Sequence, residues 1–331
     1  MKQVRFSTFG DPETVVFCDN VPDPGLPGHD EVLVTIDAFP INPADLLTIT
    51  GGYAVKPDLP ATLGAEATGR IAALGAGVTG FRIGDRVIIL ARNNWCQQRR
   101  LPSTGVLKID QSADVLQLAM LKVNPATAWM MMKNYVQLEP GDWLIQDAAN
   151  SGVGLALAGL AGAEGVHTVN VVRRPEAMSV LRALSADVVL VDGDDLADRV
   201  AEATKGAAIS LAIDAVGGLQ VMRLADCLAE GGTVVNYGLL SGEPCQIRAD
   251  QTIFKSVTLT GFWLQKALNS MQRSDIERLY QTLALHMAAK TLAVDVEATY
   301  SIDDIKDAVA HAGRDHRKGK ILVLPNGDVA S

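Results

Sequence analysis

The sequence predicts an α/β protein of two parts, a β-rich domain followed by a doubly wound parallel sheet. Three observations carry that expectation. Short apolar or alternating stretches separated by Gly, Pro, Asp and Asn fill the first 120 residues, with little helical spacing between them. Beyond residue 140, strand signals alternate with helix-length stretches, the rhythm of a parallel sheet. A chain of 331 residues also suits two cores better than one.

Taken in order, VRFSTFG (4–10), EVLVTIDAF (31–39), TGRIAALG (68–75) and DRVIIL (85–90) read as strands. The character changes near Leu116, where 116–136 has helical spacing, and Pro140-Gly141 then interrupts the chain. Six strands follow: 142–148, 166–172, 186–192, 209–216, 232–238 and 257–263. Helices over 152–165, 175–185, 195–205 and 218–231 separate the first five. A helix over 274–290, a strand at 296–301, a helix at 303–313 and a strand at 318–325 close the chain. This tail is expected to return to the first domain and complete its sheet. The domains are therefore set at 1–120 with 268–331, and at 121–267.

Hydrophobic residues make up 48% and charged ones 20%, an ordinary globular balance. A net charge of -9 argues against a nucleic-acid surface, and the basic clusters at 97–100 and 314–320 are short. Cys18, Cys96, Cys227 and Cys245 are scattered, so neither a disulfide framework nor a Cys-rich zinc knot is signalled. The opening residues read as strand and turn, and no apolar stretch approaches the roughly 18 residues of a span. The expected compartment is the cytoplasm.

The most informative stretch runs from Gly141 to Pro175. It reads as strand, tight turn, helix, second strand and two arginines, an arrangement that cradles a diphosphate on backbone amides. The turn, Ala149 to Gly154, departs from G-x-G-x-x-G. Ala149 and Ser151 take the first two glycine positions, and Gly154 keeps the third. Order of elements supports the site more than the glycines do. After the second strand, an NAD-selective site places a carboxylate for the ribose 2′-hydroxyl. Here Arg173 and Arg174 stand there, and a guanidinium can fork onto a 2′-phosphate. The expected cofactor is NADPH. Tyr237 and the segment Phe262-Trp263-Leu264 end later strands, on the side where this architecture binds ligands.

No metal cluster is legible. His29, His167, His286, His311 and His316 are dispersed, and no G-x-S-x-G turn presents a serine.

The stretch 69–87 (GRIAALGAGVTGFRIGDRV), followed by this nucleotide unit, resembles the medium-chain dehydrogenase/reductase superfamily. Within it the chain looks most like the zinc-independent 2-enoyl thioester reductases. INPAD (41–45), GGY (51–53), LP (59–60), VNPATAW (123–129), NSGVG (150–154), VNVVRRP (169–175), YG (237–238), IFK (253–255) and GFWL (261–264) carry that likeness in order. The resemblance implies a GroES-like catalytic domain and a Rossmann domain, assembled as a homodimer. It makes Tyr53 the catalytic residue. It assigns NADPH contacts to Asn124, Asn150, Ser151, Gly152, Val153, Arg173, Arg174, Tyr237, Phe262, Trp263, Leu264 and Lys320. Gly64-Ala65-Glu66 stands where a zinc relative has Gly-His-Glu, so a methyl replaces the ligating imidazole. The tyrosine is flanked by Gly52 and Ala54 where the family reads Gly-Asn-Tyr-Gly, and the loop NNWCQQRR (93–100) keeps Trp95 without the family's Gly-Thr.

The implied reaction is NADPH-dependent reduction of the double bond in a trans-2-enoyl thioester carried by CoA or acyl-carrier protein. Hydride goes to the β carbon while charge spreads onto the thioester oxygen, so a neutral donor near that oxygen lowers the barrier. A phenol, with a reference pKa of about 10, suits the task, and Tyr53 is the candidate. Asn42 is expected to orient substrate, with Trp95 and Trp263 lining an apolar acyl pocket. For Met130–Met132 core packing is the better reading, since a helical run cannot aim three sulfurs at one site. Two other readings stay open: an NADPH quinone or enone reductase of the same superfamily, and a non-catalytic NADPH-binding protein.

Overall fold

A computed structural model describes residues 1–109, 114–184 and 186–327. Ser185, the end of the expected helix over 175–185, and residues 328–331 lie outside that description. The chain divides into two compact units. The first comprises Met1–Val123, Glu277–Ala288 and the stretch from Ala293 onward; the second is Asn124–Ile276 with Ala289–Leu292.

In chain order the first unit begins with β1 (Lys2–Phe6), α1 (Pro12–Val15), β2 (Val16–Asn20), β3 (Glu31–Pro40) and α2 (Pro43–Thr50). It continues through β4 (Ala61–Thr62), β5 (Thr68–Leu74), β6 (Arg86–Ile89), β7 (Gln98–Pro102), β8 (Val106–Lys108) and α3 (Val115–Ala119). The second unit holds α4 (Asn124–Asn134), β9 (Trp143–Gln146), α5 (Gly152–Ala163), β10 (His167–Val172), α6 (Met178–Ala183), β11 (Val188–Val191) and α7 (Leu196–Ala203). It ends with β12 (Ile209–Asp214), α8 (Leu219–Cys227), β13 (Thr233–Asn236), α9 (Ala249–Ile253), β14 (Thr258–Gly261) and α10 (Leu264–Asn269). Helix α11 (Arg273–Ala288) leads back to the first unit, which closes with β15 (Val296–Ser301), α12 (Ile305–Gly313) and β16 (Lys320–Leu324).

The expected single helical stretch at 116–136 is two helices. Pro125 has no N–H, and its ring collides with the carbonyl four residues back, so a helix cannot run through this point. The chain leaves α3 at Met120 and restarts at Asn124.

In the first unit β3 alternates inward and outward along most of its length, which identifies it as a strand with one face on a core. It is the hub of a seven-stranded sheet of order β15-β16-β3-β5-β6-β8, with β7 also on β3. The tail does return: β16 lies antiparallel to β3, pairing Leu322 with Pro40 and Val323 with Phe39. A three-stranded sheet β2-β1-β4 packs through Val4 and Phe6 into the same core as Val34, Ile36, Ile71, Ile89 and Ile321.

The second unit is a parallel six-stranded sheet of order β11-β10-β9-β12-β13-β14. Strand order therefore reverses between β9 and β12. In open α/β sheets the crevice at that reversal, beyond the carboxyl ends, takes the ligand. Helix α5 is apolar nearly all round (GVGLALAGLAGA), and such a helix is stable only when enclosed. Buried Leu157, Leu160 and Ala161 bear this out. Beneath it a buried polar link joins three elements. Gln146 donates through Nε2 to Gly154 O at 2.8 Å and to Asn170 Oδ1 at 2.7 Å, while Asn170 donates to Thr168 Oγ1 at 2.8 Å.

Candidate active site

The nucleotide half is built by strand ends of the second unit. After β9 the chain turns through Asp147-Ala148-Ala149-Asn150 into α5, with Ala148 held at a φ of 41°. Ser151 caps the helix: its Oγ accepts from Gly154 N at 3.1 Å, and its carbonyl accepts from Leu155 N at 2.8 Å. The turn admits no side chain at Gly154. A Cβ there would lie 2.5 Å from Ala149 O and 2.6 Å from Ala149 Cα. That closeness lets a helix start directly on the strand end, with its first amides turned outward, where a diphosphate is stabilised. The residues present fit a dinucleotide.

Arg173, Arg174, Tyr237 and Phe262 follow the carboxyl ends of strands in the same sheet. Arg173 and Arg174 follow β10 immediately, Arg173 exposed and Arg174 half-buried. Tyr237 follows β13; its amide donates to Asp214 O at 2.9 Å, and its side chain hydrogen-bonds Ser151. Burial raises the Tyr237 phenol above its ordinary range. Phe262 follows β14, bonded through its amide to Asn236 O at 2.8 Å and edge-on to Tyr135, with ring centres 6.5 Å apart. Trp263 is 40% exposed and stands as the residue before α10, which starts at Leu264. Asn124 opens α4 and is buried. Asn150, Ser151, Gly152 and Val153 form the turn and the first residues of α5.

In the first unit, Tyr53 follows α2. The helix ends at Gly51, whose φ of 78° suits glycine, and the chain folds back so that Gly52 N and Tyr53 N both donate to Leu47 O at 2.9 and 3.0 Å. The Arg92 guanidinium lies over the Tyr53 ring, 5.3 Å from its centre. Nothing in the sequence pairs these two residues, since Arg92 lies beyond β6, far along the chain from Tyr53.

Three expected contacts take other roles. Asn42, expected to orient substrate, is 2% exposed and fully engaged inside the protein. It donates through Nδ2 to Glu66 Oε1 at 2.8 Å, accepts at Oδ1 from Lys320 Nζ at 2.6 Å, and donates its amide to Asp45 Oδ2 at 3.0 Å. Lys320, expected on the cofactor, is the buried partner in that bond. Trp95, expected in the acyl pocket, is 1% exposed and stacked on Phe39 at 5.6 Å between ring centres. It is a core residue. Burial of so large a ring against the matching face of Phe39 outweighs the cost of its Nε1–H, which meets no described acceptor.

These corrections expose an ionic cluster that spacing alone did not reveal. Glu66 accepts from Asn42 and, through Oε2, from Val123 N at 2.8 Å. Lys122 donates to Ala65 O at 2.5 Å and Ala91 O at 3.3 Å, and Tyr280 donates its hydroxyl to Lys122 O at 3.0 Å. Asp45 also accepts from Ala65 N at 3.0 Å. Burial pushes the Glu66 and Asp45 carboxyls up and draws the Lys122 and Lys320 ammoniums down, each lysine to about 8. Ala65 itself is buried and offers no donor where zinc relatives carry an imidazole. Among the described residues no three His, Cys, Asp or Glu side chains converge as a metal centre requires.

Comparison with known proteins places this geometry. The family model of the alcohol dehydrogenase GroES-like domain matches residues 28–112, and that of the zinc-binding dehydrogenases matches 152–284. The mitochondrial enoyl-[acyl-carrier-protein] reductase of Rattus norvegicus is 35% identical over 273 residues, 80% of this chain and 73% of the relative. The Homo sapiens enzyme of the same name is 35% identical over 290 residues, covering 86% and 78%. The 2-enoyl thioester reductase heterodimer of Candida tropicalis superposes with a TM-score of 0.86 at 26% identity, covering 98% of this chain and 99% of that one. The quinone oxidoreductase of Escherichia coli, solved with NADPH, gives 0.88 at 26%, covering 98% and 100%. The chain belongs to the medium-chain dehydrogenase/reductases, in the zinc-independent branch with the enoyl thioester reductases.

Proposed function

We propose that this chain is an NADPH-dependent oxidoreductase that reduces the carbon–carbon double bond of trans-2-enoyl thioesters. The observation that carries this is the 35% identity to enoyl-[acyl-carrier-protein] reductases over 86% of the chain. NADPH, when bound, supplies the hydride. The chain's own residues hold and polarise. The first turn of α5, entered through Asn150, Ser151, Gly152 and Val153, meets the diphosphate. Arg173 and Arg174 fork onto the 2′-phosphate, and no carboxylate follows β10 along the chain before Glu176. Asn124, Tyr237 and the Phe262–Leu264 segment complete the cofactor's surroundings, and Trp263 offers an aromatic surface to an acyl chain.

Tyr53 donates a hydrogen bond from its hydroxyl toward the thioester oxygen, directly or through water, as negative charge gathers there, and a proton drawn from solvent then reaches the α carbon and completes the reduction. The fold-back onto Leu47 and the Arg92 guanidinium on its ring fix the side chain's base. Asn42 and Lys320 act one step behind, as positioning residues that pin the start of α2. In this reading 1–120 with 268–331 forms the GroES-like catalytic domain and 121–267 the NADPH-binding domain. The carrier is CoA or acyl-carrier protein.

A quinone or enone acceptor is the second reading. A protein of Bacillus thuringiensis assigned as an NADPH:quinone reductase superposes with a TM-score of 0.90 at 29% identity, covering 98% of each chain. Stopped assays with crotonyl-CoA and with a small quinone separate the two. Turnover of crotonyl-CoA with NADPH is the expected result; brisk quinone reduction without enoyl-CoA turnover would reverse the order.

The reading includes a homodimer. Strand β14 is an edge of the sheet, and Ile253 and Phe254 just before it are largely exposed, an arrangement that a second copy would cover. The mass in solution tests it. The four cysteines are free, which suits the reducing interior expected for the cytoplasm, although the curated relatives carry mitochondrial names. No described helix is long and apolar enough to cross a membrane.

A further inference from the structure

The cofactor crevice contains a carboxyl pair that the mechanism above does not use. Asp147 ends β9 and Asp214 ends β12, the two neighbouring strands at which the sheet order reverses. Both are buried, with 1% and 0% exposure. Their surroundings differ. Asp214 Oδ1 accepts from Val216 N at 3.2 Å and Gly217 N at 3.0 Å, and Oδ2 accepts from Gly217 N at 3.2 Å and from Asn236 Nδ2. Asp147 receives one bond, from Ala215 N to Oδ1 at 2.7 Å, and no described donor reaches Oδ2. A bare carboxylate oxygen in that position is strongly disfavoured, whereas a protonated one becomes a donor. Its acceptor is at hand: Asp147 N donates to Ile213 O at 3.1 Å and Asp147 Oδ1 takes the Ala215 amide, so Asp147 is tied to both chain neighbours of Asp214.

We propose that Asp147 is held as the neutral acid, donating from Oδ2–H to the Asp214 carboxylate, and that it is a positioning residue for the cofactor turn. The turn depends on it. Asp147 is followed at once by Ala148, whose left-handed backbone is disfavoured for a residue with a Cβ, and Ser151 N closes on Ala148 O at 2.8 Å. The two bonds of the Asp147 side chain fasten the base of this turn to the Ala215–Gly217 loop after β12. As an acid it does so without placing a second negative charge below the diphosphate.

The electrostatics agree. Burial is the main influence raising the Asp147 carboxyl well above its ordinary range, then the Asp214 side chain, then the charge of Asp192. Only the Ala215 amide opposes them locally. The titratable groups facing it are thus Asp214 from β12, Asp192 from beyond β11 and Tyr237 from beyond β13. None of the three favours loss of its proton. When the proton does leave, two carboxylates adjoin and the turn loosens.

The part concerning NADPH rests on the function proposed above, and the experiment separates the two. NADPH binding is titrated by fluorescence across the alkaline range for wild type, Asp147→Asn and Asp147→Leu. An amide keeps both bonds without a titrating proton. Affinity in wild type should fall about tenfold as the pair gains its second charge, while Asp147→Asn stays level to about twofold and Asp147→Leu is weak throughout. The lysines of the first unit titrate in this range too, but their contribution is common to wild type and Asp147→Asn and cancels in the difference. Parallel profiles for wild type and Asp147→Asn would overturn the assignment.

Unfolding without cofactor is the second readout. A native carboxyl raised above its unfolded value loses stability relative to the amide as pH rises from about 4, so the midpoint gap should widen with pH. A widening gap in a protein that binds no NADPH would keep the shared proton and discard the cofactor reading. Should the variants not fold, infrared spectra of wild type with isotope-labelled aspartate decide. A protonated aspartyl carbonyl band at neutral pH is expected, and its absence sinks the proposal.

Discussion

Arg92 over the Tyr53 ring is the contact through which a single residue governs the proposed chemistry. Replacing the tyrosine by phenylalanine keeps the ring under the Arg92 guanidinium and removes the hydroxyl. Tyr53→Phe should therefore lower kcat by about 100-fold while leaving NADPH affinity unchanged. Unaltered turnover would take Tyr53 out of the mechanism. Arg173 and Arg174 are tested differently. If they fork onto the 2′-phosphate, changing both to alanine should reduce kcat/KM for NADPH by about 10- to 100-fold and spare NADH. Equal losses with both cofactors would deny them that role. At this scale the sequence was uneven. Arg173 and Arg174 have their place, directly after β10, marked by a strand that the sequence shows plainly, and their role is what the variants test. The place of Trp95 was not legible, because an aromatic residue carries no mark of whether it faces a pocket or a core. Asn42 and Lys320 were hidden for another reason: they meet across 278 residues of chain, through a strand pairing that no local pattern announces.

Among elements, the β9–α5 turn has the least tolerance. Gly154→Ala would drive a methyl onto the backbone of Ala149, so strand and helix must part. A loss of about 1–3 kcal/mol is expected, with NADPH binding lost alongside; urea midpoints and cofactor titration measure both. Ser151→Ala removes the cap, at about 1 kcal/mol, together with the partner of the Tyr237 hydroxyl. A glycine variant as stable as wild type would mean that the close approach is not needed. The turn was recognised in the sequence despite lacking two of its three glycines, because the order of strand, helix and strand survived. One departure has a local explanation: Ser151 supplies the cap. By contrast α2 and its fold-back were not anticipated. Eight residues closed by Gly51 give too short a period to read, and the helix is set by Asp45 reaching Ala65 N, a tertiary bond.

For the whole molecule, the buried lysines impose a pH signature. Lys122 and Lys320 titrate near 8 in the fold, against about 10.4 for a free lysine. Between these values the unfolded chain holds more protons than the native one, so their contribution to stability rises with pH across that window. Lys320→Met should abolish part of the rise, measured as the difference in unfolding free energy from wild type between pH 8 and about 10.5. An invariant difference would place the ammonium in contact with water. The division of labour between a β-rich unit and a parallel sheet was readable because hydrophobic period differs between them. The ionic cluster was not, since its members come from α2, the loop before β5, the chain before α4 and the last strand.

The path of the chain has one more consequence, for the order in which a ribosome releases it. The nucleotide-binding unit is almost continuous, from Asn124 to Ile276, and can close as soon as that length has emerged. The first unit, though begun earlier, must wait: the end of β3 at Phe39 and Pro40 lacks its partner until β16 arrives, and Asn42 lacks its lysine until Lys320 does. The second half of the molecule is thus free to fold before the first. Nascent chains arrested ahead of Val296 should already resist protease over the parallel sheet, while the helix leading to Tyr53 remains open to cleavage.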